Sequence, residues 1–169
     1  MTEDQDVRGR IVVGVDGSDH SVLALRWAVR QAERTGADVD VIACWQWPAS
    51  AGGFLPYENF DLSAVTSKAV DAAVASIVCD EDQTAVAVRT TIIEGYPAKA
   101  LLDAAEGAEL LVVGSRGHHA VSGLLLGSVG LHCATHAPCA VLIVREPADK
   151  LHGQWRTQPG GSGHATTCG

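Results

Sequence analysis

The sequence predicts an α/β fold, a single doubly wound domain with a parallel sheet and helices on both faces. Three observations carry the prediction. Short strand-like runs alternate with stretches of helical periodicity, so consecutive strands are joined by crossovers rather than hairpins. The first, fourth and fifth strand runs are continuously apolar, as strands buried on both faces are. The chain has 169 residues, 47% of them hydrophobic, which suits one ordinary core.

The β-branched run Arg10–Val15 ends in Asp16-Gly17-Ser18-Asp19, a strand entering a turn. Ser18 or Asp19 caps a helix whose apolar positions Val22, Leu25, Val29 and Ala32 recur at helical spacing, and Gly36 stops it. Val39–Trp45 is the second strand. Residues 46–62 hold two prolines, two glycines and several aromatics and form a long loop, a length usually tied to function or disorder. An alanine-rich helix runs from Ser63 to about Cys79. Ala85–Glu94 alternates Val86, Val88, Thr90 and Ile92, the period of a third strand. Gly95-Tyr96-Pro97 turns into a helix with Pro97 in its first turn and Ala98, Leu101, Leu102 and Ala105 on its apolar face. Leu110–Val113 is the fourth strand. After a glycine-rich segment, Ser128–His136 is a short helix stopped by Pro138, and Cys139–Arg145 is the fifth strand. Residues 1–8 and the Gly- and Gln-containing tail 147–169 are expected to be disordered, leaving 9–146 as the domain.

Composition narrows the functions. A net charge of −8 opposes broad electrostatic binding to nucleic acid or anionic membrane, so neither is expected as a partner. No apolar run reaches the ~20 residues of a membrane span, and the acidic N-terminus has no following apolar stretch, so a cytoplasmic location is expected. Five widely spaced cysteines without a C-x-x-C pair indicate neither a disulfide framework nor a zinc site. The seven histidines, with the adjacent pair His118-His119, show no H-E-x-x-H or similar ligand spacing.

Ligands of open α/β sheets bind beyond the carboxyl ends of strands where strand order reverses. Two glycine-containing turns compete for that place: Gly14-Val15-Asp16-Gly17-Ser18 after strand one and Gly114-Ser115-Arg116-Gly117 after strand four. If those strands are neighbours, the turns face each other across a crevice that suits a nucleotide. Neither is a Walker A loop or a G-x-G-x-x-G fingerprint. The longer spacing is more telling: Gly114, Gly117, nine residues, then Gly127-Ser128 at a helix start. The first two glycines would let backbone amides approach an anion. The third would bring Ser128 and a helix N-terminus to the same anion, where free N–H groups and the dipole favour phosphate.

With that spacing, G-x2-G-x9-G-[ST], the chain resembles the universal stress protein family, specifically its ATP-binding branch. The opening Ile11-Val-Val-Gly-Val-Asp-Gly-Ser18 and the closing Pro138-Cys-Ala-Val-Leu-Ile-Val144 are also similar to the family, and the resemblance covers roughly Arg8 to Glu146. It implies a five-stranded parallel sheet of order 3-2-1-4-5 and ATP bound with Mg2+ or Mn2+ through its phosphates. It places Asp16 near ribose, phosphates and the metal, with Gly14 and Val15 lining the site. Ala43-Cys44 would offer backbone groups to adenine, and Gly95 and Pro97 would shape the rim. Gly114, Ser115, Arg116, Gly117, Gly127, Ser128 and Val129 would surround ribose and phosphates. It further implies a homodimer through the last strand, Ala140 to Val144.

Blander roles compete at single positions. Asp16 can cap the first helix or sit in an Asx turn. Arg116, the basic residue of the motif, can be a solvated loop arginine. His118 and His119 are expected to be exposed, and Cys44 to be a buried strand residue rather than a reactive thiol. Trp45, Trp47, Phe54, Tyr57 and Phe60 are expected to form a local cover or subunit contact. The sequence offers no P-loop lysine, arginine-finger set or water-positioning residue for phosphoryl transfer. The expected function is therefore a regulatory, stress-response ATP-binding protein and not an enzyme. A nucleotide-independent dimeric interaction protein, or an ATP-hydrolysing or adenylyl-transferring enzyme, are the rivals.

Overall fold

A computed structural model describes residues 8–46, 61–78, 86–117 and 126–145. In chain order the elements are β1 (Arg10–Gly14), α1 (Asp19–Thr35), β2 (Asp38–Trp45), α2 (Leu62–Val78), β3 (Val88–Glu94), α3 (Pro97–Ala104), β4 (Leu110–Gly114), α4 (Ser128–His136) and β5 (Ala140–Val144). The strands form one parallel sheet of order β3-β2-β1-β4-β5. The α/β class and the order 3-2-1-4-5 agree with the expectation. The tails, most of the 46–62 loop, Cys79 and the His118–Gly123 stretch lie outside the described residues.

Alternation within β1 explains its unbroken apolar character. Ile11 and Val13 pack with Val39, Val41 and Val112 against α1 and α2. Val12 faces the other way and packs with Ile42, Leu111, Val113 and Cys133 against α3 and α4. A strand with helices on both sides has no solvent face, so period-2 polarity disappears.

Helix ends follow local chemistry. Ser18 caps α1, its side chain accepting from the Ser21 amide, and Gly36 ends it at φ 74° with its N–H bonded to the Ala32 carbonyl. Helix α2 starts one residue before the expected Ser63, because Asp61 takes the cap: its Oδ1 accepts from Ser63 Oγ at 2.6 Å and from the Ala64 amide at 3.1 Å. The Ser63 bond and then the Ala64 amide hold the Asp61 carboxyl below its usual range.

Three expectations shift. Strand β3 enters the ladder at Val88; Ala87 still accepts a bond from the Val39 amide, while Val86 packs on the core without extending the strand. On α3 the buried residues are Ala100, Leu101 and Ala105, with Ala98 and Leu102 only half-buried. Pro97 at the first position sets the helix phase, and the 100, 101, 104, 105 row meets the sheet. Strand β5 is apolar yet half-exposed at Val141, Leu142 and Ile143, because it is an edge strand. Arg10 bonds Asp40 at 3.1 Å and Arg89 bonds Asp38 at 2.7 Å, so the carboxylates of β2 are engaged with strand arginines. No helix among the described residues is long and apolar enough to cross a membrane.

Candidate functional site

β1 pairs with β2 on one side and β4 on the other. The order reverses between β1 and β4, so the turns after these two strands face one another at the carboxyl edge. Their approach is close: a Cβ built on Gly117 would lie 2.5 Å from Asp16 Oδ2. Between and beside the turns opens a cleft of about 970 Å³, within the roughly 300–1,000 Å³ typical of small-molecule sites.

Asp16 is exposed and held in an Asx turn. Its Oδ1 accepts from the Ser18 amide at 3.0 Å and from Ser18 Oγ at 2.6 Å. The Asp16 amide donates to Ser21 Oγ at 3.3 Å. Ser18, not Asp16, caps α1. The turn fixes the carboxylate at the cleft wall, so the local role and a position in the site coexist.

The motif glycines divide by cause. A Cβ on Gly114 would meet the backbone of His20 at 2.9 Å, so glycine there admits the close approach of α1 to β4. Gly117 makes room for Asp16. Gly127 has neither reason. Its backbone, φ −72° and ψ 161°, is open to any residue, and among the described residues a Cβ would find only ordinary contacts, 3.7 Å from the Ser115 carbonyl oxygen and 3.8 Å from Arg116 Cα.

The loop closes through backbone. The Ser115 amide donates to the Val144 carbonyl at 2.7 Å, and the Gly127 amide donates to the Ser115 carbonyl at 2.8 Å. Ser115 is buried, and its backbone ties the loop. The tie delivers the start of α4 to the cleft wall. Gly127 is the N-cap and offers no side-chain cap, so the first-turn amides of Ser128, Val129 and Gly130 have no partner among the described residues. Three orphan donors and the positive end of a helix dipole therefore face the cleft.

The structure brings Gly14, Val15, Asp16 and Cys44 to one cleft with Gly95 and Pro97. Arg116, Gly117, Gly127, Ser128 and Val129 line it too, as does Gly114. Burial pushes the Cys44 thiol up, so at neutral pH it is an uncharged strand residue and not a thiolate. Ala43 faces the α1/α2 core instead. Arg116 is exposed and makes no ion pair among the described residues.

Sequence reasoning passed over part of the lining. Ile42, Leu101 and Val113 form an apolar floor, and Gln46, Glu94 and Tyr96 stand at the rim. Gln46 and Glu94 follow or end β2 and β3, so the carboxyl-edge rule that selected the two glycine turns points to them as well. Leu101 carried no such signal, being an ordinary apolar helix position. Among the described residues no three His, Cys, Asp or Glu side chains cluster as metal ligands.

Residues 8–145 match the profile of the universal stress protein family. Over 143 residues the chain is 32% identical to a universal stress protein of Mycobacterium tuberculosis, covering 80% of this chain and 45% of that protein. The chain spans about half the length of this mycobacterial relative. A universal stress protein of Methanocaldococcus jannaschii is 31% identical over 142 residues, with 82% of each chain covered. Among solved structures, a universal stress protein in complex with cAMP superposes with a TM-score of 0.56 at 30% identity, covering 80% of this chain and 96% of that one.

Proposed function

Because the chain belongs to the universal stress protein family, we propose that it is an ATP-binding regulatory protein whose nucleotide sits in the β1/β4 cleft. The observation that carries this reading is the uncapped start of α4, closed onto Ser115 and aimed into a cleft at the strand-order reversal. The amides of Ser128, Val129 and Gly130 supply donors for phosphate oxygens without any lysine. Arg116 adds one cation at the same wall. The apolar floor of Ile42, Leu101 and Val113 suits a base, and a similar protein that binds cAMP points to adenine.

The donor set also fits a divalent cation. Asp16 and Glu94 border the cleft, and two carboxylates oppose a bare triphosphate. Mg2+ or Mn2+ bound through the phosphates would neutralise much of that charge, with Asp16 the nearer carboxylate on the phosphate side. The chain's own groups bind and orient; none among the described cleft residues is a lysine or histidine placed to move a proton, which favours regulation over turnover. The homodimer belongs to the same reading. Strand β5 presents an apolar, half-exposed edge that a second copy can pair with.

Mass spectrometry of ligand released from purified protein, followed by calorimetric titration of stripped protein with MgATP, tests the proposal. Adenine nucleotide in the first and a saturable heat in the second are expected, with ATP recovered intact. Neither co-purified nucleotide nor any response to MgATP would favour the nucleotide-independent interaction protein. A product formed from ATP would favour the enzyme.

A further inference from the structure

We propose that His132 and His136 on α4 form a two-imidazole site for a borderline divalent transition metal, with Ni2+, Cu2+ and Zn2+ as the class. The two residues are four apart on a helix and share one exposed face. Their rings already stand together, with centroids 4.3 Å apart and planes 23° from parallel. His136 Nδ1 lies 3.0 Å from the His132 carbonyl oxygen. A carbonyl can only accept, so Nδ1 carries the hydrogen and the lone pair is left on Nε2. Metal-binding histidines are characteristically fixed in this way, the second ring nitrogen donating to a carbonyl or carboxylate that sets the tautomer and ring orientation.

Two metal–nitrogen bonds of about 2.0–2.1 Å at a right or tetrahedral angle need nitrogens about 3 Å apart. In the stacked arrangement the two in-plane lone pairs lie side by side, so chelation turns the exposed rings about their side-chain bonds until both lone pairs converge on one ion. Both side chains are exposed, so water can complete the coordination shell. Imidazole donors select Ni2+, Cu2+ and Zn2+ over Mg2+ and Mn2+, which prefer oxygen. The site is therefore distinct in place and in chemistry from a phosphate-bound cation in the cleft. A cation at the last turn of α4 also faces the negative end of its dipole. His132 and His136 have the i, i+4 interval of H-E-x-x-H with cysteine at 133, which corrects the expectation that no histidines share a similar ligand spacing.

The test titrates metal-stripped, nucleotide-free full-length protein with Ni2+, chosen because it does not oxidise the cysteines. Calorimetry is run on the wild type and on His132→Gln and His136→Gln. Each variant should lose one Ni2+ equivalent relative to the wild type, and Mg2+ should give no saturable heat. At substoichiometric Ni2+, the ring proton signals of His132 and His136 should broaden before those of the other histidines. Wild-type stoichiometry and affinity in either variant, or first broadening at other histidines, would overturn the site.

Discussion

Replacing Gly127 with aspartate should raise stability and weaken nucleotide binding at once. The backbone at 127 already has a conformation any L-residue adopts, and among the described residues a Cβ there meets nothing nearer than 3.7 Å. Removing a glycine from such a position stabilises by about 0.4–1 kcal/mol through the unfolded chain. Aspartate at an N-cap adds a few tenths over glycine. Together these amount to about 1 kcal/mol, a rise of roughly 4 °C in the unfolding midpoint for a domain of this size. The introduced carboxylate bonds the same first-turn amides that a phosphate would use. It also sits about 5 Å from any phosphate docked there, a repulsion of ~3 kcal/mol per unit charge at an effective dielectric of 20. At about 1.4 kcal/mol per tenfold, MgATP affinity should fall at least 100-fold. Gly127→Ala serves as the control for the charge: its backbone gain is offset because alanine is a poorer N-cap than glycine, so its midpoint should stay near that of the wild type with MgATP affinity retained. Scanning calorimetry reads the stability and titration calorimetry the affinity. A stabilised Gly127→Asp protein that binds MgATP as tightly as the wild type would refute phosphate docking at α4.

Gly114→Ala should destabilise by about 1–3 kcal/mol, because its Cβ meets the His20 backbone at 2.9 Å and α1 must shift to admit it; denaturant unfolding measures this, and an unchanged midpoint would contradict the packing role. Burial pushes the Cys133 thiol from an ordinary 9.0 up to about 11. The unfolded chain loses this proton first, so the contribution is whole below pH 9 and is lost as pH rises through about 11, on the order of 3 kcal/mol. Cys133→Ala should be less stable at neutral pH yet show a shallower decline over that window, and parallel declines would count against it. Cys44 should alkylate slowly at pH 7.5 and more slowly still with MgATP present, as mass spectrometry of the labelled peptide can follow; nucleotide-independent labelling would remove Cys44 from the site. If amides rather than basic side chains hold the ligand of this −8 protein, MgATP affinity should change little between low and moderate salt, and a steep loss would reveal a lysine- or arginine-built site instead.

The sheet was legible because its causes are local or periodic. Two-faced burial makes β1 and β4 continuously apolar, and Ser18, Gly36, Pro97 and Pro138 punctuate the helices where their own chemistry requires it. The half-exposure of β5 was not legible, because an edge strand and a central strand can carry the same apolar run; neighbours decide, not composition. The phase of α3 was hidden for a similar reason, since alanine and leucine fill both candidate rows. At the site, Gly114, Gly117 and Gly127 of the motif all line one cleft, while the contacts of each residue within it depend on neighbours across the sheet. His20 of α1 explains Gly114, and Val144 of β5 engages Ser115.

That dependence bears on how the site is built. Gly114 belongs to helix packing, Ser115 to the tie with β5, and Gly117 to Asp16. Each fixes the loop without needing a ligand. Gly127, Ser128, Val129 and Gly130 are left over: an uncapped helix start at the cleft, with the described residues asking nothing of the glycine at its cap. An N-cap that declines the usual Ser, Thr, Asp or Asn gives up roughly a few tenths of a kcal/mol of helix stability. An anion supplied from outside would satisfy the same donors. The division of labour makes the cleft pre-formed, since the bonds that aim α4 are backbone bonds to Ser115 and onward to Val144. It would also give a nucleotide bound there a direct line to β5. The Gly127 amide, the Ser115 carbonyl and amide, and the Val144 carbonyl form one chain of contacts from helix start to sheet edge. A ligand that tightens the start of α4 therefore bears on the strand whose outer edge a second copy would meet.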